Sequence, residues 1–126
     1  PLFGKGETRL QPAFVEDVAT AAARALERPD SRSRVYELGG RRIYSYRQIL
    51  EAVVHHRHRR RLFLPVPFGV WELLAEAASR LPNPPLTVDQ VRLLERDNTV
   101  GSGMATFGDL GIEAAGIEDK LAECLP

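Results

Sequence analysis

Residues 55–61 read HHRHRRR, three histidines and four arginines with no acid among them. Imidazole binds metals, and His55 and His58 stand at the i, i+3 spacing that brings two rings together on a helix. A stable site needs three or four ligands, and no cysteine or carboxylate lies within the run. Phosphate recognition is the other chemistry open to the run. Nucleic-acid surfaces add stacking aromatics or a second basic stripe, and this run has neither. It therefore reads as a solvated helix end, where each cation gains about 0.3–1 kcal/mol from the negative end of the helix dipole. The other reading left open is a contact for an acidic partner or a lipid headgroup through Arg57, Arg59, Arg60 and Arg61. No metal site and no nucleic-acid partner are expected.

Other reactive groups lack the company their chemistry requires. Gly4–Lys5–Gly6 and Gly101–Ser102–Gly103 are not followed by a third glycine at the spacing of G-x-G-x-x-G. Neither pair joins a strand to a helix as dinucleotide binding needs. A tyrosine acid–base catalyst activated by a lysine four residues on is also missing: Tyr36, Tyr44 and Tyr46 are followed at that distance by Gly40, Gln48 and Leu50. Cys124 has no histidine near it in sequence and reads as a small core residue rather than a thiolate nucleophile. Acid pairs such as Glu95 and Asp97 read as solvated helix faces. No catalytic residue is assigned.

The totals bound the protein class. At 126 residues the chain can close one core. Seventeen basic and seventeen acidic side chains cancel, which argues against a polycation built for nucleic acid. Only Lys5 and Lys120 are lysines; the other fifteen positive charges are arginine. No apolar run approaches the roughly 20 residues that span a bilayer. A single cysteine suits a reducing compartment, so the expected location is cytoplasmic or membrane-peripheral.

The elements that would position these groups follow from local signals. Residues 1–13 are rich in Gly and Pro and read as an opening loop with a short strand near Thr8–Leu10. VEDVATAAARALE is a helix capped by Glu16 or Asp17, with Val18, Ala21, Ala22, Ala25 and Leu26 as its apolar stripe; Pro29–Asp30 stops it. RVYELGG is extended. Ser45 and Gln48 form a capping box for a helix from Tyr46 to about Arg57 that buries Ile49, Leu50, Val53 and Val54. LFLPVP is extended because proline disfavours helix just before it. FGVWELLAEAASRL presents a wide apolar face of Val70, Trp71, Leu73, Leu74, Ala77, Ala78 and Leu81. Thr87 and Gln90 cap the next helix, and IEDKLAECL forms the last. The division expected is one partial domain over 1–126, with an αβ segment at 14–64 and a helical segment at 65–126. The fold class is α/β, mostly helical with two or three short strands.

LQPAFVEDVATAAARAL, followed after about 20 residues by Val35–Tyr36–Glu37–Leu38–Gly39–Gly40 and then Tyr44–Ser45–Tyr46–Arg47–Gln48–Ile49, resembles a stretch of the extended and atypical short-chain dehydrogenase/reductase family, the NAD-dependent epimerase/dehydratase superfamily. Leu86–Thr87–Val88–Asp89–Gln90–Val91, Leu94, Asp97–Asn98 and Asp109–Leu110–Gly111–Ile112 resemble one branch of it. That branch includes the reductase-like NAD(P)-binding accessory subunit of respiratory complex I and its bacterial relatives. The resemblance implies that the chain is the C-terminal, substrate-side lobe of a Rossmann-type reductase, without the N-terminal nucleotide-binding half. NAD or NADP would belong to the whole parent and no cofactor to this part, which would be inactive alone. By position, Gln11, Pro12, Ala13 and Phe14 would line the cleft. Leu10 stands where the family has arginine, which argues against a sugar-nucleotide substrate. The expected partner is the missing half, and in its absence the chain should self-associate. The competing reading is a non-catalytic interaction module that uses Trp71, Leu74 and Leu81 against a protein or membrane surface.

Overall fold

A computed structural model describes residues 1–125. Its elements run β1 (Leu2–Phe3), β2 (Arg9–Leu10), α1 (Val15–Glu27), a 3-10 turn at Pro29–Ser31, β3 (Tyr44–Ser45), α2 (Tyr46–His56), β4 (Pro65–Val66), α3 (Phe68–Ala78), α4 (Val88–Glu95), a 3-10 turn at Phe107–Leu110, and α5 (Ile117–Cys124). Helix and strand are mixed, and the strands are two residues each. They form two small sheets, β1 with β4 and β2 with β3. The chain folds as two units, one from Pro1–Arg9 and Ser45–Asn98, the other from Leu10–Tyr44 and Thr99 onward. The unit boundaries fall inside β2 and β3 and at Asn98.

In the first unit, β1 runs parallel to β4, with Leu2 opposite Pro65 and Phe3 opposite Val66. The opening loop therefore contains a strand that its composition concealed. Both capping boxes form: Ser45 accepts from the Gln48 amide, Thr87 accepts from the Gln90 amide, and each glutamine side chain returns to the cap residue's N–H. Such a cap contributes about 1 kcal/mol. Leu2 and Val91 are fully buried and Ala75 nearly so; burying a leucine or valine is worth roughly 1.5–3 kcal/mol. Trp71 turns inward with Ala75 and Ala78, one turn apart on α3. Its indole N–H donates to the Leu2 carbonyl at 3.2 Å, and its ring packs on Phe3 at 4.5 Å between centroids. The wide apolar face is thus two faces. Val70, Leu73, Leu74, Ala77 and Leu81 lie on the other and are exposed.

In the second unit, Ala21 of α1 meets Phe107 and Leu110, with Ala13, Ala25, Tyr36, Leu38 and Ile112 packed around them. Ala21 and Ala25 admit close approach, and only they turn inward. Val15, Val18, Ala19, Ala22 and Leu26 are exposed, so the apolar stripe divides between an inner and an outer row. The helix has no side-chain N-cap. Phe14 holds the cap position, and Asp17 instead accepts from the Ala115 amide at 2.8 Å. Arg24 donates to the carbonyls of Leu110 and Gly111 at 3.0 and 2.6 Å, placing a cation where the 3-10 turn exposes its carbonyl ends.

Candidate functional site

The second unit holds residues 11–14, the segment that the sequence points to as cleft-lining. Gln11 is tied down rather than presented. Its Nε2 donates to the Gly40 carbonyl at 2.9 Å and its Oε1 accepts from the Val100 amide at 3.0 Å. The Gly40 amide donates to the Gln11 carbonyl at 3.3 Å. Gly40 allows this pairing because a Cβ there would lie 2.0 Å from the Pro12 carbonyl oxygen. Glu37 extends the network by accepting from the Gly101 amide at 2.7 Å, while its own N–H donates to Ala105. Tyr36 makes a parallel bridge with Ala105.

Pro12, Ala13 and Phe14 line a cavity of about 160 Å³ with Ala115, Gly116, Ile117, Lys120, Leu121 and Cys124 of the α5 region. Its walls are mostly apolar. Lys120 lies with its ammonium 4.6 Å from the centre of the Phe14 ring and pairs with Glu123 at 2.8 Å. That carboxylate raises the lysine's pKa above its ordinary value, which keeps it a cation and disfavours its use as a base. Cys124 is exposed, which corrects its reading as a core residue. Behind the loop, Tyr44 is buried and donates from its hydroxyl to Glu118 at 2.6 Å. Burial first, and the carboxylate second, push the phenol pKa up; the same hydrogen bond pulls Glu118 down. A phenol held protonated next to a carboxylate held ionised is a structural clamp for the start of α5.

The cavity is smaller than the roughly 300–1,000 Å³ of most ligand pockets. A second cavity of about 380 Å³, lined by Gln11, Gly40, Arg41, Val100, Thr106 and Glu113 among others, has its polar groups already engaged. Arg41 binds Glu113, Asp119 and the Ala114 carbonyl. Thr106 caps Gly108 and bonds Asp109. Among the described residues no group of three His, Cys, Asp or Glu side chains could hold a metal.

The residues that carry the family resemblance have structural work. Asp97 accepts from the Arg9 backbone N–H at 2.7 Å and from its guanidinium at 2.8 Å, contacts that depress its pKa, the backbone bond most. The Asn98 amide donates to the Arg9 carbonyl, and Thr8 donates to the Leu94 carbonyl. In Asp109–Leu110–Gly111–Ile112, Asp109 caps the turn, Leu110 enters the core, and Gly111 takes a left-handed φ of 69°. The other surface residues singled out divide. Arg57, Arg59, Arg60 and Arg61 are exposed, as are Leu74 and Leu81 at 53% and 54%, whereas Trp71 is turned into the first unit.

The outer face of α1 is apolar. Val15, Val18, Ala19, Ala22 and Leu26 recur at helical spacing on its solvent side, Val15 72% and Leu26 89% exposed. The signal was present as a second apolar row beside Ala21 and Ala25.

No family model matches the chain. It is similar to mitochondrial NADH dehydrogenase subunits. It is 29% identical over 89% of its length to NADH dehydrogenase [ubiquinone] 1 alpha subcomplex subunit 9 of Arabidopsis thaliana. The identity is 27% over 90% of its length to the protein of that name in Dictyostelium discoideum. To the NADH-ubiquinone oxidoreductase 40 kDa subunit of Neurospora crassa it is 29% over 88%. The chain spans about a third of the length of these relatives, 30%, 33% and 30% respectively. All three are named as mitochondrial, which overturns the cytoplasmic location inferred from the lone cysteine. One reduced thiol marks a reducing environment and not which one. No helix among the described residues is long and apolar enough to cross a membrane.

Proposed function

We propose that this chain is the substrate-side lobe of an NAD(P)-binding protein of the NADH dehydrogenase accessory type, built on a short-chain dehydrogenase/reductase plan, and that it performs no chemistry alone. NAD or NADP is held by the other, nucleotide-binding half of the parent. The observation that carries the reading is the outer face of α1. A valine–alanine–leucine row left in water, immediately after the segment 11–14, is the face a helix presents to a sheet or helix it was shaped to cover. The tethering of Gln11 to Gly40 and Val100 and the small apolar cavity beside it support a wall that closes a site over one that conducts a reaction. Similarity to NADH dehydrogenase subunits over about a third of their length agrees with a part rather than a whole.

Calorimetric titration of the 126-residue chain with NADH and with NADPH tests this. No saturable heat at micromolar ligand is expected. Micromolar binding by the isolated chain would place the cofactor site here and refute the assignment. The exposed row Val70, Leu73, Leu74 and Ala77 on α3, with Leu81 just beyond its end, favours a second reading, a non-catalytic assembly module. That reading needs no nucleotide in any partner and predicts that a physiological complex survives nucleotide removal.

A further inference from the structure

Residues 57–64 read RHRRRLFL, and no Asp or Glu stands between Glu51 and Glu72. The segment is held at both ends. At the first, His58 takes a left-handed φ of 49°. Its N–H donates to the His55 carbonyl at 2.9 Å, and the Arg59 N–H donates to Val54 at 3.1 Å, the pattern that closes a helix and turns the chain away. At the other end the Leu64 carbonyl accepts from the Leu2 amide at 2.7 Å. Between these ties Arg57, Arg59, Arg60 and Arg61 are exposed and make no ion pair among the described residues. Arg9, Arg28, Arg41, Arg42, Arg47 and Arg92 do pair with carboxylates. Directly after the unpaired arginines, Leu62 is 85% and Leu64 58% exposed.

Uncompensated guanidiniums joined to solvent-facing leucines match the layered chemistry of a bilayer surface. Phosphates lie at the level of the charges, and the acyl boundary lies a few ångströms beneath. Arginine stems reach across that step with their heads in the phosphate layer. We propose that residues 57–64 dock this protein on an anionic phospholipid bilayer, the four arginines on lipid phosphates and Leu62 and Leu64 in the acyl boundary. An acidic protein surface would neutralise the arginines but leave the leucines uncovered. A single-stranded nucleic acid would need stacking aromatics, and the one phenyl ring in the segment, Phe63, is half-buried.

The test is co-sedimentation of the 126-residue chain with vesicles of one part phosphatidylglycerol to three parts phosphatidylcholine, against vesicles of phosphatidylcholine alone. Binding to the anionic vesicles and its loss at high salt are expected. Each Arg→Gln change should weaken partition about five-fold, and the set Arg57→Gln, Arg59→Gln, Arg60→Gln, Arg61→Gln by more than about a hundred-fold. The corresponding Arg→Lys set should retain binding within a few-fold, because a bilayer reads charge and not the guanidinium fork. Leu62→Ser with Leu64→Ser should weaken anionic binding with the charges intact. Circular dichroism checks that each variant is folded; should the Gln set unfold, the Lys set and the salt titration decide. Equal binding to neutral vesicles, no vesicle binding at low salt, or loss in the Lys set equal to that in the Gln set would overturn the proposal. So would capture of a random oligonucleotide without vesicle binding.

Discussion

Replacing Gly40 by alanine asks most of the second unit. A Cβ at that position would stand 2.0 Å from the Pro12 carbonyl oxygen and 3.1 Å from its carbon, against an ordinary contact near 3.5 Å. The neighbour is backbone, so no side chain can swing aside; the 11–12 segment must retreat by more than about 1 Å. That retreat stretches the Gly40 N–H to Gln11 carbonyl bond, already 3.3 Å, and the Gln11 Nε2 to Gly40 carbonyl bond of 2.9 Å. Each such bond is worth about 1 kcal/mol net, and a buried group left unpaired costs about 1–3 kcal/mol more. Gly40→Ala should therefore destabilise by about 2–4 kcal/mol. With an m-value of about 1–3 kcal/mol/M, the urea midpoint read by circular dichroism should fall by about 1–2 M. Gly69→Ala is the control: no atom lies within 4 Å of its Cβ and it sits in α3, so the change should be neutral or stabilise by up to about 1 kcal/mol. If the two variants unfolded within about 0.5 kcal/mol of each other, the close approach of residues 11–12 to Gly40 would be wrong.

Tyr44→Phe should cost about 1.5–3 kcal/mol at neutral pH by removing a hydrogen bond to a charged group. It should also flatten the pH dependence of unfolding. The lowered pKa of Glu118 adds stability that is present above about 4.5, its ordinary value, and is lost as pH falls through the lower folded pKa. The raised pKa of Tyr44 adds stability that is full below about 10 and is lost as pH rises through the higher folded pKa. The wild type should show both limbs in a pH series of urea midpoints, and each should be shallower in the variant, where Asp97 and Tyr46 still contribute. His58→Gly should stabilise by about 1 kcal/mol, since glycine takes the left-handed conformation without the side-chain penalty; a thermal melt reads the sign. Thr87→Ala should cost about 1 kcal/mol by leaving the Gln90 amide uncapped, and the same melt measures it.

The parts of the fold that were legible in the sequence are those decided within four or five residues. Ser45 with Gln48 and Thr87 with Gln90 mark helix starts because both halves of each bond lie in one turn. Pro29 marks a stop because the ring denies the next bond. Features that depend on distant chain were not legible. Leu2–Phe3 becomes a strand only because Pro65–Val66 lies alongside. Asp17 looked like a helix cap, but it serves Ala115, 98 residues on. In α1 the periodicity fixed a helix but not which of two adjacent rows turns inward. Ala21 and Ala25 win because Phe107 and Leu110 supply the bulk on the other side. Trp71 was misplaced for the same reason: its partners, Leu2 and Phe3, lie in the opening loop. For the candidate site, residues 11–14 were singled out by position, while the partners that immobilise Gln11, namely Gly40 and Val100, follow only from the three-dimensional arrangement.

The outer row of α1 decides between a part and a whole, and sedimentation velocity of the 126-residue chain up to millimolar concentration reads it most directly. The account predicts self-association in the wild type, with Val15→Glu and Leu26→Glu together returning a folded monomer. A wild-type chain that stays monomeric throughout, with the double variant indistinguishable from it, would contradict the claim that this face was shaped to be covered.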